Sequence, residues 1–387
     1  MSALPQSSST TAPFFTDYND LASDQVGGKV LFATDDWFAP AENLIKDESP
    51  VFKEGEITDY GMWMDGWETR RKRTEGHDWC IIQLGVAGVI SGVDVDTSYF
   101  TGNYAPRCSI QAACLPKSYS KREGERIGLA ATEEDYKMVE QLQSQNWDYI
   151  VSLTQLQPGF LTSCHNFFES TKKKKYTHIR LNIYPDGGIA RLRVYGNAAP
   201  DWSKVSEKEL VDLASVKSGC ICTGYSSTNR GHPKNLIRPG RAQTIIDGWE
   251  IFPKTTRPTV IQEYRHTGKL CPSGSEWCTF QLGHTCIVQM VEVDTNHFKG
   301  NFPYTCKVEG CLVDDRVLSE SSTPSKKEWK ILLPETKLKG HNQMFIDVTK
   351  LSNVGVISHV RLTIYPDGGV SRFRIWGRKA QSNLSKL

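Results

Sequence analysis

The stretch HIRLNIYPDGG at residues 178–188 decides the fold of this chain, because it is written twice. It returns as HVRLTIYPDGG at residues 359–369. In both copies apolar and polar residues alternate up to the tyrosine, which is the period of a β-strand. Proline, aspartate and two glycines then supply turn chemistry, and a second alternating run follows at residues 191–195. The pattern predicts an antiparallel hairpin with one core face and one polar face.

Other segments also occur twice, and they occur in the same order. DGWE at residues 65–68 returns at residues 247–250, and VDT at residues 95–97 returns at residues 293–295. Preserved order with small changes in spacing indicates a tandem duplication. Each copy is much longer than the roughly 20–50 residues of a solenoid repeat, so each copy is predicted to be a domain.

The copies contain many short alternating runs and Gly/Pro turns, which favours an all-β fold. We predict two tandem antiparallel β-sandwich (jelly-roll) domains from an internal duplication, with few short helices. Helix is expected only near residues 133–144 and in the linker, where Ser206 and Glu209 have capping-box spacing. The predicted boundaries are a flexible N-terminus over residues 1–16, a first repeat over 17–198, a linker with a short helix over 199–211, a second repeat over 212–378 and an exposed tail over 379–387.

The composition excludes several classes of function. The 387 residues carry a net charge of only +2, which gives no reason to expect nucleic acid or an anionic membrane as a partner. No apolar run approaches the ~20 residues of a membrane span, and the first residues do not form a secretory signal. The 11 cysteines do not have metal-site spacing and are predicted to be reduced thiols.

The first DGWE segment continues into three arginines and a lysine, TRRKR. Guanidinium groups such as those of Arg70 and Arg71 suit a bidentate grip on a carboxylate. Glu68 could act as general acid or base, and Trp67 could wall a small pocket. The second copy loses the paired arginines after Glu250, so the alternative is a structural Asp-Gly turn followed by a solvated basic loop.

Two acids at i and i+2, Asp94 and Asp96, share one face of a predicted strand, and Asn103 follows. Their proximity could raise the pKa of one carboxyl or contribute to a cation site, which two carboxylates alone leave incomplete. Strand-end turn chemistry is the alternative. On the polar face of the hairpin, Arg180 and its counterpart Arg361 are kept as substrate candidates, against a plain polar face or a subunit contact.

The sequence ends in Ser385, Lys386 and Leu387. A C-terminal S-K-L is an address that a soluble peroxisomal import receptor reads, and it does not anchor the protein. It predicts a protein of the peroxisomal matrix with that receptor as a partner. A frayed polar end on a cytoplasmic protein is the alternative.

Taken together, the twice-written DGWE, the VDVDT–FxGNY element and the YPDGGxxRxRVYG ending closely resemble the allantoicase family, over nearly the whole chain. The pattern around VDVDT is also similar to the broader galactose-binding-type jelly roll. The family resemblance implies two jelly-roll domains, a homo-oligomer, and a hydrolase that converts allantoate to (S)-ureidoglycolate and urea in purine breakdown. The alternative is a non-catalytic tandem β-sandwich that binds a carbohydrate or a protein.

If the resemblance holds, hypothetical roles can be given to the candidate residues. Catalysis would use Glu68 as acid and Asp96 as acceptor for a proton of water, with Asp65 as a further candidate. Substrate would be bound by a larger set: Arg70, Arg71, Arg180, Asn103, Trp67 and Arg361. A divalent metal such as manganese stays open as an activator of water, although the sequence shows no complete ligand set.

Overall fold

The computed structural model describes residues 12–116, 119, 122–255, 257, 262–264, 269–271, 274–313 and 329–380. Its described part divides into two compact units. The first unit, here called the first repeat, consists mainly of Gly28–Leu84 and Val89–Gly196, and the second repeat consists mainly of the described residues from Asn197 onward. No described helix is both long and apolar enough to span a membrane.

The described residues of the first repeat form twelve strands and one α-helix. The strands are β1 (Asn19–Asp20), β2 (Lys29–Ala33), β3 (Ile57–Thr58), β4 (Gly61–Met62), β5 (Trp67–Glu68), β6 (Asp78–Asp96), β7 (Arg107–Ala113), β8 (Asp148–Gln155), β9 (His165–Glu169), β10 (Lys175–Tyr184), β11 (Gly188–Ile189) and β12 (Arg191–Ala198). Helix α1 spans Glu133–Glu140, and 3-10 turns lie at Phe14–Asp17, Asp24–Val26, Ala41–Ile45 and Ser144–Asn146.

The described part of the second repeat mirrors this arrangement. Its strands are β13 (Val211–Asp212), β14 (Ile221–Tyr225), β15 (Trp249–Ile251), β16 (Gln262–Tyr264), β17 (Lys269–Cys271), β18 (Glu276–Asp294), β19 (Thr305–Cys311), β20 (Lys330–Lys337), β21 (Gln343–Asp347), β22 (Ile357–Tyr365), β23 (Gly368–Val370) and β24 (Arg372–Lys379). The 3-10 turns are at Trp202–Lys204, Val216–Ser218, Pro233–Ile237, Ile245–Asp247 and Val348–Lys350.

Both repeats have the same strand order. It is β1-β12-β6-β10-β7-β8 in the first and β13-β24-β18-β22-β19-β20 in the second. The long strands β6 and β18 each carry two further partners, β2 and β9 or β14 and β21. The first part of β18 pairs with β14 and β22, and its last part pairs with β21 and β24. One long strand therefore belongs to both layers of a sandwich, and the all-β prediction is confirmed.

The space between the layers is filled by the apolar side of the alternating pattern. Ile179, Leu181 and Ile183 of β10 are all 0% exposed, as the period of two requires. The apolar side chains of the second repeat form one contiguous core of the same kind. At roughly 25 cal/mol per Å² of buried apolar surface, these cores supply the main favourable free energy of folding.

Two expectations about the first hairpin are wrong. Strands β10 and β12 do not pair with each other, because β6 lies between them in the sheet order. The chain after Tyr184 instead forms β11, which pairs with β5. The polar face of β10 is also not solvated: Arg180 is 7% exposed, because the segment that contains α1 and Trp147 covers it.

The helix expectations have mixed outcomes. The helix near residues 133–144 is confirmed as α1, and its Thr132–Asp135 capping box satisfies the first backbone donors. The prediction of a linker helix beginning at Ser206 is wrong. Ser206 and Glu209 do interact, with Ser206 N donating to Glu209 Oε2 at 3.4 Å, but the segment forms only a turn. A short 3-10 turn at Trp202–Lys204 precedes it.

Candidate functional site in the first repeat

Three loops meet at one end of the first repeat. Glu68 of β5 pairs with Gly188 of β11, and Gly188 N donates to Asn103 O at 2.8 Å. The approach is so close that a Cβ at Gly188 would lie 2.0 Å from the Phe100 ring. Glycine is therefore required at this position, and the YPDGG and FxGN motifs both position the strand that carries Glu68.

Glu68 is the acid that this end presents. Its side chain is half-buried, and Asn103 Nδ2 donates to its Oε1 at 2.6 Å. No Lys, Arg or His of the described residues forms an ion pair with it. Burial raises the pKa of Glu68 to about 7, and the hydrogen bond from Asn103 only partly opposes this. A carboxyl group with this pKa can donate and accept a proton at neutral pH.

In the second repeat the corresponding acid, Glu250, has a cationic partner. Arg230 Nη1 lies 3.0 Å from Glu250 Oε2, and Asn301 donates to the other carboxylate oxygen. The position of Arg230 is fixed by its backbone bridge to Glu250, and Ala39 makes the equivalent bridge to Glu68. Ala39 thus stands where the second repeat has Arg230, and Glu68 has no cationic partner among the residues that the structure describes.

Arg180 and its counterpart Arg361 also differ in whether they have a partner of opposite charge, and here the charge is positive. Its guanidinium lies 3.8 Å over the Trp79 ring, donates from Nε to Asn182 Oδ1 and from Nη1 to Ser144 Oγ, each at 2.8 Å, and pairs with no carboxylate of the described residues. Burial lowers the pKa of Arg180 to about 10. Gln111 is its cross-strand neighbour.

In the second repeat the neighbour of the equivalent arginine is an acid. Glu309 lies opposite Arg361 in the register, and its Oε2 accepts from Nε at 2.9 Å and lies 2.8 Å from Nη2. The predicted substrate candidate Arg361 is therefore already occupied by an internal carboxylate, whereas Arg180 is not.

Arg180 lines a pocket of about 450 Å³ beneath α1, here called the α1 pocket. The other lining residues are Trp79, Glu133, Tyr136, Lys137, Val139, Glu140, Ser144 and Gln145. Glu68 is not among them. The structure therefore does not bring Arg180 and Glu68 into one pocket.

The arginine loop lines a separate groove of about 630 Å³, together with Asp35 and Tyr136. Arg70 is not available there, because it lies over Trp37 and donates to Asp35 Oδ2 at 2.8 Å. Arg71 is exposed and has no acidic partner in the described ranges. Of the two arginines of this loop that were predicted to bind a carboxylate, Arg70 is engaged by Asp35, whereas Arg71 lines the groove with no acidic partner among the described residues.

Asp65 and Trp67 hold the structure of this loop. Arg191, which is 1% exposed, lies 2.8 Å from Asp65 Oδ2. Burial works to raise the pKa of Asp65, but the hydrogen bond and the charge of Arg191 outweigh it and the pKa is lowered. Trp67 is fully buried and its indole donates to Asp35 O at 2.8 Å. Trp67 therefore belongs to the core and walls no open pocket.

Asp96 lies near two potential metal ligands that the sequence reading missed. One ligand atom each from Asp96, Cys164 and His165 lies within 4.8 Å of the others. His165 Nδ1 is 2.7 Å from Asp94 Oδ2, which would orient the imidazole. These are the residues that could hold a divalent metal. The pairing of β6 with β9 sets Asp96 opposite His165, and no pattern in the sequence predicted this pairing.

The equivalent positions in the described part of the second repeat differ from this cluster. Asp294 is paired with Arg241, with Nε at 3.1 Å from Oδ2. Gln343 stands opposite Asp294 where His165 stands opposite Asp96, and it donates to Glu292. In the second repeat, Glu250, Arg361 and Asp294 each have an internal partner of opposite charge. The corresponding residues of the first repeat, Glu68, Arg180 and Asp96, have no ion-pair partner of this kind among the described residues.

Comparisons with known proteins agree with the duplicated architecture. A family model described as the allantoicase repeat matches residues 19–199 and 211–380. An allantoicase of Dictyostelium discoideum is 40% identical over 94% of this chain and 87% of its own length. A probable allantoicase of Burkholderia mallei is 40% identical over 97% and 98%. The crystal structure of allantoicase from Saccharomyces cerevisiae is 34% identical, covers 92% of both chains and has a TM-score of 0.66.

Proposed function

Because the chain belongs to the allantoicase family, we propose that it hydrolyses allantoate to (S)-ureidoglycolate and urea. In this reaction the bond between the central carbon of allantoate and one ureido nitrogen breaks. The departing nitrogen takes a proton and leaves as urea, and oxygen from water remains on the carbon as a hydroxyl. The reaction needs a proton donor for the leaving nitrogen and an acceptor for a proton of water.

The observation that carries this proposal within the structure is Glu68. A carboxyl group with a pKa of about 7 and no cationic partner in the described residues can protonate the departing nitrogen. Asn103 Nδ2 holds the carboxyl in place. The carboxylate of the equivalent Glu250 already has an internal cationic partner in Arg230. We therefore place the chemistry in the first repeat.

The other roles follow from what each side chain contacts. Asp65 maintains the loop through Arg191, so we assign it a structural role. The role of Asp96 as the acceptor of a proton from water stays a prediction. If a divalent metal such as manganese takes part, Asp96, Cys164 and His165 would hold it, and it would supply a more acidic bound water. The alternative of a non-catalytic carbohydrate or protein binder is not favoured by the family match.

Urea release tests the proposed function directly. Purified full-length protein should release one urea per allantoate consumed, and ureidoglycolate should form in equal amount. The assay is run after chelator treatment and again after divalent metals are added back. Absence of urea under every metal condition would overturn the proposal.

The pH dependence of turnover tests the role of Glu68. Since the acid must be protonated, kcat is expected to fall as the pH rises through about 7. The profile is measured from pH 5.5 to 9 at saturating allantoate. In Glu68→Gln the residual rate should lose this limb. An unchanged limb in that variant would assign the proton to another group.

We also propose a peroxisomal location, which rests on Ser385, Lys386 and Leu387 and on nothing in the described residues, because these three lie outside them. Full-length protein fused at its N-terminus to a fluorescent protein should colocalise with a peroxisomal marker. Deletion of the tripeptide should leave the fusion in the cytoplasm. Punctate fluorescence that survives the deletion would contradict the proposal. The homo-oligomer implied by the family resemblance stays a prediction.

A further inference from the structure

We propose that the α1 pocket binds a small carboxylate, of the ureido-acid class to which allantoate and ureidoglycolate belong, with Arg180 as its counter-ion. The choice of ureido acids rests on the proposed function. The inference of an anion site rests only on the charge, burial and geometry of the pocket.

The hydrogen bonding of Arg180 is incomplete within the described residues. Its Nε and Nη1 have hydrogen-bond acceptors in Asn182 and Ser144, both of them uncharged, and its Nη2 has none in the part of the chain described. The side chain is 7% exposed and lines the pocket. Burial of a cation without an anion is costly, and a carboxylate that accepts from a guanidinium offsets that cost. A bound anion would therefore complete the site.

The second repeat places a carboxylate beside the equivalent arginine. Arg361 lies 4.6 Å over the Trp329 ring, which precedes β20 as Trp147 precedes β8, whereas Arg180 lies over Trp79 of β6. There the carboxylate of Glu309 accepts from the guanidinium of Arg361. An internal acid thus occupies the position that Gln111 leaves uncharged in the first repeat. The protein itself shows that an aromatic–arginine pair at this place on the sheet accommodates a carboxylate.

The size and lining of the α1 pocket suit a small carboxylate. A volume of about 450 Å³ lies within the range of small-molecule sites. Trp79 supplies a flat surface against which a planar ureido group can pack. Glu133, Lys137 and Glu140 also line the pocket, but all three are exposed, so solvent and salt screen their charges and Arg180 is the buried charge of the site.

Isothermal titration with ureidoacetate tests the proposal. This probe carries a carboxylate and one ureido group but lacks the second ureido nitrogen on the same carbon, so no nitrogen lone pair assists cleavage of its carbon–nitrogen bond. Full-length wild type should bind it, and Arg180→Gln should weaken binding at least tenfold. Gln111→Glu, which provides the acid found in the second repeat, should do the same. Because Gln111 also donates to Gln145 O and Trp147 O, thermal unfolding of both variants is measured in parallel.

The matched control is Glu309→Gln, which alters the equivalent pair in the second repeat and should leave the ureidoacetate affinity within twofold. Unchanged affinity in Arg180→Gln, with its unfolding temperature retained, would overturn the proposal. Turnover of allantoate separates the two sources of the ligand. A raised KM in Arg180→Gln identifies the bound acid as the substrate and, because Glu68 does not line this pocket, would also move the proton donor away from Glu68. Unchanged kinetics with lost probe binding identify a carboxylate bound apart from turnover. Probe binding by a protein that releases no urea would uphold this site while rejecting the proposed function.

Discussion

Glu68→Gln is expected to lower kcat for urea release by about 10²–10⁴-fold, the usual contribution of a positioned general acid. KM should change little, because Glu68 is assigned to proton transfer and not to binding of the substrate carboxylate. Glutamine keeps the size of the side chain and can still interact with Asn103. The measurement is steady-state urea release at pH 6.5. Full activity in this variant would remove Glu68 from the mechanism.

The same substitution should affect stability with a defined sign. Burial raises the pKa of Glu68 in the folded state from its ordinary value of 4.5 to about 7. The stabilisation associated with its bound proton is fully present below the unfolded-state pKa and is lost as the pH rises through about 7. Above pH 7 the wild type therefore carries a half-buried, unpaired carboxylate that the variant lacks. Glu68→Gln should unfold at a higher temperature than the wild type at pH 8.5, and a lower unfolding temperature there would contradict the assigned pKa.

Asp65→Ala is expected to destabilise the first repeat by about 3–5 kcal/mol, because it leaves the buried guanidinium of Arg191 without its anion. Arg191 is 1% exposed and also donates to Asp65 O and Glu48 O, so the unpaired charge cannot move into solvent without breaking these bonds. The free energy of unfolding is measured by denaturant titration. At temperatures where the variant stays folded, kcat should fall far less than in Glu68→Gln.

The second repeat offers a control for this prediction as well. Asp247 is more exposed than Asp65, and its Oδ2 is 3.8 Å from Arg372 Nη2. Asp247→Ala should therefore destabilise the protein less than Asp65→Ala. If Asp65→Ala leaves stability unchanged but abolishes turnover, Asp65 has a catalytic role after all and the structural assignment is wrong.

The duplication, the all-β class and α1 could be predicted from the sequence, because each depends on local period or on self-similarity. The layer assignment of β10 and β12 could not, because it depends on β6, a strand far away in sequence that lies between them. The alternating pattern placed Arg180 on a polar face, and only the covering segment around α1 and Trp147 makes that face buried. Cys164 and His165 were missed for the same reason: their proximity to Asp96 arises from long-range strand pairing.

One difference between the two repeats is visible in the sequence and bears on the site. Gln111 and Glu309 occupy the same place in the two repeats, and their difference changes the charge beside Arg180 and Arg361. Once the repeats are aligned this exchange is visible without a structure. Its meaning is not, because the alignment alone does not show that these side chains meet across neighbouring strands.

The account depends most on the claim that the first repeat carries the chemistry because Glu68, unlike Glu250, has no cationic partner in the described residues. Side-by-side kcat/KM values for urea release from allantoate by Glu68→Gln and Glu250→Gln test it most directly. The account predicts a loss of at least about 100-fold in Glu68→Gln, in line with the loss of a general acid, and a value within twofold of wild type in Glu250→Gln. Equal losses in both variants, or a larger loss in Glu250→Gln, would contradict it.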